Sequence, residues 1–286
     1  MSDVAAGTKA ATLRLAFFAL ICLSLGAGRA DAWGDRTHPA IVRLAIETLP
    51  ADVKARFRGQ SYDLERFSNE PDTVLRRRLG REEAMRHFID LDGYMAAPFA
   101  HFPRYFADAV KLIGRRRVER YGLLPWVILR KQKEFSRERS RKSGGDWVRL
   151  AGHLAHYVGD AYQPLHLTVD YDGRMSGASG VHKRFENDVV DARIEIYERA
   201  IRRGLAPAHE LRDVRARLFE ALFHSYTAKD AIFAADRAAR GKPGQGREGY
   251  NREMDRRLRP MVQRQLGDAA TMLGSIWLTA WRDAPR

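Results

Sequence analysis

The stretch GHLAHYVGDAYQPLH (152–166) predicts a helix ended by a proline and holds the most informative polar residues of the chain. His156 and Asp160 are four residues apart, so in a helix both side chains lie on one face. Pro164 cannot continue that helix, and the turn after it lets His166 swing back toward the same face. An imidazole and a carboxylate on adjacent helical turns can bind one zinc or similar ion.

A second pair with the same spacing follows in HKRFEN (182–187), where His182 precedes Glu186 by four residues. Taken alone, each pair is more typical of a surface hydrogen bond or of a buried histidine with a satisfied partner. Two such pairs on either side of His166 favour a metal site.

The hydrophobic pattern of the whole chain predicts an all-α protein, because apolar residues recur at helical spacing and alternating runs are scarce. A first helix is expected from a Thr37 cap to its end before Pro50. Glycine-rich stretches at 172–180 and 240–249 are expected to be loops, and the tryptophans after Trp33 are expected to pack in the core. Further helices are predicted at 63–78, 81–91, 104–119, 124–141, 146–161, 181–203, 208–239 and 248–284.

The first 32 residues have the features of a signal peptide. A weakly basic start precedes an apolar run at 15–25, which is too short for a comfortable membrane span. Ala30-Asp31-Ala32 then has the small-x-small form that signal peptidase cleaves. We expect cleavage before Trp33 and export to a periplasm or to the medium, and the alternative is an uncleaved anchor.

Cleavage would remove the only cysteine, Cys22. The mature chain of 254 residues (286 minus 32) would then have no disulfide, so packing, bound metal or both must hold it together. That length is sufficient for one substantial core, and no linker or repeat divides it. One domain spanning 33–286 is therefore predicted.

The chain is strongly basic, with a formal net charge of +14. Residues 1–32 hold three basic and two acidic residues, so the mature chain carries +13. Residues 104–142 contain thirteen Lys/Arg against four Asp/Glu, a net of +9. This balance favours a polyanionic or anionic partner, either nucleic acid or lipid, although a solvated helix face is the alternative.

The motifs together resemble the superfamily of zinc-dependent phospholipases C and S1/P1 nucleases over most of the mature chain. The resemblance is carried by a tryptophan at the mature N terminus with a nearby histidine, an aspartate ahead of an H-F-x-D motif, a central H-x-x-G-D-x-x-x-P-x-H motif, and a final H-x-x-x-D/E pair. In this chain these elements are Trp33, His38, Asp72, His87, Phe88, Asp90, His156, Asp160, Pro164, His166, His182 and Glu186.

The resemblance implies a single multi-helix domain with a cleft that holds three zinc ions. The first ion would be bound by Asp72, His87, His156 and Asp160, and the second by His166, His182 and Glu186. The third would be bound by His38, by Asp160 as a bridging ligand, and by the free α-amino group and carbonyl of Trp33. In this family, removal of the signal peptide itself creates a metal ligand.

The same resemblance implies hydrolysis of a phosphate ester, with Asp72 and Asp160 as the carboxylates assigned to catalysis. A hydroxide held between two of the ions would attack phosphorus in line, so that no side-chain nucleophile is required.

The two branches of the family, the S1/P1 nucleases and the phospholipases C, hydrolyse different phosphate esters. The short interval from Trp33 to His38, the form of VGDAYQPLH, and the spacing of fifteen residues from Asp72 to His87 favour the bacterial S1/P1 nuclease-like branch. Phe88 would then stack on a base and Asp90 would accept a hydrogen bond from its edge, although Phe88 is equally compatible with a core position.

Other features favour phospholipase C. Glu186 stands where nucleases usually have aspartate, and the Gly-Gly-Asn expected of nucleases is absent from DGRMSGASG (172–180). Two residues expected in the choline-binding site of the phospholipases are, however, missing from this chain. Arg36 stands in place of an acidic residue, and Thr73 stands in place of an aromatic one.

The sequence thus predicts a zinc-dependent phosphodiester hydrolase, in the first place a nuclease acting on single-stranded DNA or RNA. The alternatives are a phospholipase C acting on phospholipid headgroups, and a non-catalytic exported helical protein that binds anionic surfaces. No obligate protein partner is implied.

Overall fold

A computed structural model of the protein describes residues 33–97, 99–141, 146–241, 244 and 246–283. These residues form α-helices, short π- and 3₁₀-helical segments and loops, and no β-strand occurs among them. The predicted all-α class is therefore confirmed. The predicted signal peptide, 1–32, lies outside the described residues, which belong to one compact unit bounded by Asp31–Arg286.

The helices of the first half are short, apart from those at its two ends. They are α1 (Thr37–Thr48), α2 (Ala51–Arg58), α3 (Ser61–Ser68), the π-helical segment Pro71–Leu75, α4 (Arg76–Leu79), α5 (Arg81–Ala84), α6 (Leu91–Tyr94), α7 (Phe106–Ile113), α8 (Arg115–Arg120) and α9 (Leu124–Arg139).

The second half contains the central helix and the longest one. Its elements are α10 (Trp147–Ala161), the 3₁₀ turn Pro164–Leu167, α11 (Val181–Lys183), the π-helical segment Arg184–Val190, the 3₁₀ turn Asp191–Arg193, α12 (Ile194–Ile201), α13 (Val214–Thr227), α14 (Lys229–Arg240) and α15 (Gly246–Arg282).

Helix α10 is the centre of the fold, because every residue from 151 to 161 is buried. It packs against α1, α3, α9 and α15. A Cβ on Gly152 would lie 2.5 Å from Cβ of Phe67 on α3, and one on Gly159 would lie 2.9 Å from Nδ1 of His38 on α1. These two glycines therefore let the neighbouring helices approach the central helix closely.

An aromatic cluster anchors the N-terminal half of α10. Trp147 and Trp281 contact Phe57 with ring centroids 5.3 and 5.4 Å away, and Trp277 lies 4.8 Å from the same ring. The indole N–H of Trp277 donates to the carbonyl of Ala151 at 3.2 Å. Trp126 packs separately, against Phe106 and Phe219. The expectation that the later tryptophans serve packing is confirmed.

Several predicted helix bounds are wrong, and backbone hydrogen bonds explain the most important case. The helix predicted at 81–91 ends at Ala84, and the chain leaves helical conformation before residue 88. There the N–H of Ile89 donates to the carbonyl of His166 at 2.9 Å, and that of Asp90 donates to the carbonyl of Tyr121 at 2.8 Å. These tertiary bonds replace the helical ones.

Other differences arise at glycines, at caps and at a proline. The segment predicted at 63–78 is interrupted before Pro71, and the one at 104–119 breaks at Gly114, which has φ +81°. Helix α13 begins only at Val214, where Asp213 caps it. Gly246, which was expected in a loop, starts α15.

The caps of α1 also differ from the prediction. Thr37 is its first residue rather than its cap, and its hydroxyl bonds Asp191 instead. Across the described ranges, no helix combines the length and the hydropathy that a membrane span needs.

Candidate metal centre

Eight of the predicted ligand side chains come from seven different elements or junctions and converge beside α10. Helix α1 carries His38, the π-helical segment Pro71–Leu75 carries Asp72, and the turn after α5 carries His87. The remaining five are His156 and Asp160 on α10, His166 on the following 3₁₀ turn, His182 on α11, and Glu186 on the second π-helical segment.

Three groups of donor atoms meet the distance requirement for a shared cation. In each group the donor atoms lie within 4.8 Å of one another. The groups are His38, His156 and Asp160; Asp72, His87 and His156; and His166, His182 and Glu186. All these side chains are buried except that of Asp72, which is partly exposed.

Asp160 lies between the groups. Its Oδ1 is 3.7 Å from Nε2 of His38 and 3.5 Å from Nδ1 of His166, while its Oδ2 is 3.2 Å from Nδ1 of His87 and 3.4 Å from Nε2 of His156. Neither oxygen receives a hydrogen bond within the described part of the chain, although the side chain is fully buried. A buried carboxylate in that state is costly unless a positive charge compensates it.

Main-chain carbonyls orient two of the imidazoles. Nδ1 of His156 donates to the carbonyl of Ser68 at 2.8 Å, so that in the neutral ring Nε2 carries the lone pair. Nδ1 of His166 donates to the carbonyl of His87 at 2.8 Å, and its Nε2 lies 3.2 Å from Oε1 of Glu186. Such outer hydrogen bonds are the usual way in which proteins hold metal-binding histidines.

The electrostatics of the centre combine neutral and cationic imidazoles. Burial lowers the pKa of His38 to about 4, although Asp160 opposes this shift, and burial lowers that of His156 well below its ordinary value. Burial also opposes charge on His87, but Asp72, Asp160 and Glu83 raise its pKa to about 10. Positive charge is therefore favoured beside these carboxylates, where protons and cations compete.

The carboxylates show the complementary pattern. Burial raises the pKa of Asp72 to about 7, although His87 opposes the shift. Burial also opposes ionisation of Glu186, but His182 and His166 lower its pKa to about 2. Its Oε1 lies 2.9 Å from Nε2 of His182.

Both π-helical segments carry a candidate ligand. Asp72 is the second residue of Pro71–Leu75, and Glu186 is the third residue of Arg184–Val190. The wider π-helical turn shifts the following side chains relative to an α-helix, and such segments are frequent at functional sites. This feature is not visible in the hydrophobic pattern.

Trp33 contacts the centre through its side chain. Its indole N–H donates to the carbonyl of Gly159, the neighbour of Asp160, at 2.9 Å. Its ring packs against Phe185, with centroids 5.6 Å apart. Trp33 is thus fully packed, and it is held against the helix that carries two of the predicted ligands.

The two predicted substrate contacts follow His87 in the segment 88–90. Phe88 is half-buried and does not belong to the core cluster. Burial and the nearby Asp92 raise the pKa of Asp90 to about 8. Burial thus opposes ionisation of the carboxyl that was predicted to accept a hydrogen bond from a base.

Glu83 was not singled out from the sequence. It is fully buried, its Oε1 lies 3.5 Å from Nε2 of His87, and it accepts a hydrogen bond from the Tyr157 hydroxyl. The spacing of four residues from Glu83 to His87 was the available signal.

Gln163 was also missed. Its Nε2 donates to Oε1 of Glu186 at 2.5 Å, and its Oε1 accepts from the N–H of Leu165 at 2.6 Å. The amide thus ties the turn that carries His166 to Glu186. Nothing in the spacing pointed to this role.

Comparison with known proteins gives no family assignment. No protein-family model matches the sequence, and no curated protein matches it either.

Proposed function

We propose that this protein is a zinc-dependent phosphodiester hydrolase of the S1/P1 nuclease type that cleaves single-stranded DNA or RNA. One observation carries the proposal: Asp160 is fully buried, neither of its carboxylate oxygens receives a hydrogen bond from the described residues, and four imidazoles surround it at 3.2–3.7 Å. This is the environment that a bridging carboxylate between cations requires.

The donor set fits zinc. The nitrogen and oxygen donors of His, Asp and Glu are ligands that zinc prefers, and both ring nitrogens of His38 are buried without a hydrogen-bond partner among the described residues. Asp72, His87, His156 and Asp160 would hold one ion, His166, His182 and Glu186 a second, and His38, Asp160 and the main chain of Trp33 a third. Bound zinc would polarise a phosphate oxygen and activate water for hydrolysis.

The residues of the chain supply binding and orientation. Burial of the ligands excludes bulk water, and the partly exposed Asp72 marks the side from which a phosphate can approach. Phe88 offers a half-buried ring for base stacking, and the carboxyl group of Asp90 can accept a hydrogen bond from a base edge.

Exposed basic residues on α8 favour nucleic acid over lipid. The segment 88–90 is hydrogen-bonded to the residues that follow α8, through Leu124 N–H to the Phe88 carbonyl at 3.2 Å and Asp90 N–H to the Tyr121 carbonyl at 2.8 Å. Helix α8 presents Arg116 and Arg117, which are exposed and make no ion pair within the described ranges. Exposed arginines on a helix that precedes the residues bonded to segment 88–90 suit a single strand, whose phosphates they can contact.

A specific observation favours phospholipase C as the second candidate. The loop after His166 exposes Val169, Tyr171 and Met175, and the ring of Tyr171 lies 5.6 Å from that of His182. Exposed apolar side chains beside a metal centre also suit a lipid interface.

Metal analysis followed by substrate comparison tests the proposal. Protein beginning at Trp33 should contain close to three zinc ions per chain by elemental analysis, and fewer than one would support the non-catalytic alternative. Single-stranded DNA, RNA and phosphatidylcholine vesicles are then compared as substrates at equal enzyme concentration. Cleavage of lipid alone would replace the nuclease by the phospholipase.

Export belongs to the same proposal, because the third ion requires the free amino group of Trp33. N-terminal sequencing of the protein from the periplasm or medium should begin with Trp-Gly-Asp. A chain that keeps one additional residue before Trp33 should lose activity, and full activity would contradict the role of the amino group.

A further inference from the structure

The first residues of the described chain are fastened to a distant carboxylate. Oδ1 of Asp191 accepts a hydrogen bond from the main-chain N–H of Arg36 at 2.9 Å and another from the hydroxyl of Thr37, also at 2.9 Å. Asp191 starts the 3₁₀ turn that directly follows the π-helical segment of Glu186. The contact thus joins the start of α1 to the turn that follows the segment of Glu186, a ligand of the second group.

Gly34 lies directly against the same side chain. A Cβ at this position would be 2.4 Å from Cγ of Asp191 and 2.7 Å from its Oδ1. Real Cβ atoms do not approach so closely, and the overlap is with a side chain that is itself held by two hydrogen bonds. Only glycine therefore allows the chain to pass Asp191 at this distance.

Trp33 is held on its other sides by the indole bond to the Gly159 carbonyl and by the contact with Phe185. The side chain of residue 33 and the backbone of residues 34–37 are thus fixed from two directions, one beside Asp160 and the other beyond Glu186. The ends of a chain are normally poorly ordered, and their ordering costs conformational entropy.

We propose that Asp191 is a positioning residue that holds residues 33–37 so that the main-chain donors of Trp33 are presented to the ion shared with His38 and Asp160. This inference rests on the proposed function. Asp191 does not bind the ion; its two hydrogen bonds and the close passage of Gly34 restrict the terminal segment before any cation binds. A terminal ligand that is already ordered loses less entropy on binding.

Variants of Asp191 and Gly34 test this positioning role. In D191A the two acceptor bonds are lost, and in G34A the added methyl group displaces the segment from Asp191. D191N keeps a side-chain oxygen that can accept both bonds. D213A is the matched control, because Asp213 accepts a bond from the Ala216 N–H at 2.9 Å at the start of α13 and belongs to none of the three donor groups.

Two readouts are measured on protein that begins at Trp33. Zinc content after gel filtration should fall from three to two per chain in D191A and G34A, and should stay at three in D191N and D213A. Amide hydrogen exchange of Arg36 and Thr37 in the zinc-free protein should become about ten-fold faster in D191A, which corresponds to the loss of one or two hydrogen bonds. The same amides should exchange at wild-type rates in D191N and D213A.

The outcomes distinguish failure of the positioning role of Asp191 from failure of the proposed function. If D191A keeps three zinc ions and the wild-type exchange rates at residues 36 and 37, Asp191 does not position this segment. If the wild-type protein binds no zinc, the proposed function is wrong, and unchanged exchange in D191A would then also remove the ordering role. If D191N loses zinc and exchanges as fast as D191A does, the two accepted hydrogen bonds do not account for the role of Asp191.

Discussion

Nε2 of His156 lies 2.9 Å from Nδ1 of His87, and both rings are buried. Because His156 donates through Nδ1 to the Ser68 carbonyl, its Nε2 accepts a hydrogen bond from the Nδ1–H of His87. Asp160 faces both rings at 3.2 and 3.4 Å. In the protein without cations, a proton on His87 thus provides the positive charge that the carboxylate requires.

If the proposed zinc ions bind, their removal should destabilise the folded protein. Ligands that bind only the folded state stabilise it, by about 4 kcal/mol at a thousand-fold excess over Kd. We expect the chelator EDTA to lower Tm markedly, as measured by calorimetry. Asp160→Asn should abolish most of this shift, because the amide offers a single weaker oxygen, whereas Asp213→Asn should preserve it. Equal Tm values with and without chelator would contradict a metal centre.

Glu83 should tune cation affinity through His87. Glu83→Gln removes the negative charge 3.5 Å from Nε2 of His87, and loss of such an outer partner typically costs about 10- to 100-fold in metal affinity. Glu82→Gln is a close control, because Glu82 and Glu83 both bind Arg86 but only Glu83 contacts His87. Competition with a chromophoric zinc chelator measures the affinities, and similar values for the two variants would refute the role.

Phe88 should contribute to binding of a base but not to hydrolysis itself. Base stacking on an aromatic ring contributes about 1–3 kcal/mol, so Phe88→Leu should lower kcat/KM for single-stranded DNA about ten-fold or more. Turnover of a small phosphodiester without a base should change little. Tyr62→Leu, at an exposed aromatic on α3, serves as the control. Equal losses on both substrates would show that Phe88 supports the fold instead.

Arg116 and Arg117 on α8 should contribute to the salt dependence of nucleic-acid binding. Replacing Arg116 and Arg117 together by Gln removes two phosphate contacts, and the slope of log K against log salt should become shallower by about 1.4 for a single strand. The control is Arg252→Gln with Arg256→Gln on α15, where the charges pair with Glu248 and Glu253. Fluorescence anisotropy with an uncleavable oligonucleotide gives the slopes, and an unchanged slope would place the strand elsewhere.

Glu198 should stabilise the fold in a pH-dependent way. Arg43 forms a fork with it, with Nε–Oε1 at 3.0 Å and Nη2–Oε2 at 2.7 Å, and this joins α1 to α12. Burial opposes ionisation of Glu198, but Arg43 and Arg202 lower its pKa below the ordinary 4.5. A lowered pKa in the folded state means that the stabilisation is complete above pH 4.5 and is lost as the pH falls through the folded value.

Glu198→Gln should accordingly lower the free energy of unfolding by about 2 kcal/mol at pH 7 and by progressively less below pH 4.5. Urea denaturation at several pH values measures both. Glu220→Gln, at an exposed pair with Arg217, should cost less than about 0.5 kcal/mol at any pH. A cost for Glu198→Gln that did not vary with pH would point to packing alone.

The sequence patterns predicted some parts of the molecule well. The helices around His156 and at the start of α1 were found because their apolar residues recur with the helical period and a proline marks each end. The region 81–91 was mispredicted, because its backbone bonds go to His166 and Tyr121, which are distant in sequence. The two π-helical segments likewise depend on packing that periodicity does not record.

The spacing of residues in the chain was enough to predict that His156 and Asp160 share one face of a helix, and that His182 and Glu186 lie close together. Spacing suffices there because the geometry of one helix turn is local. The approach of Asp72, His87 and His38 to those pairs, and the bonds of Arg36 and Thr37 to Asp191, became visible only in the folded structure. Such contacts depend on how closely helices pack, which here rests on Gly152 and Gly159 and on carbonyls that any residue type could supply.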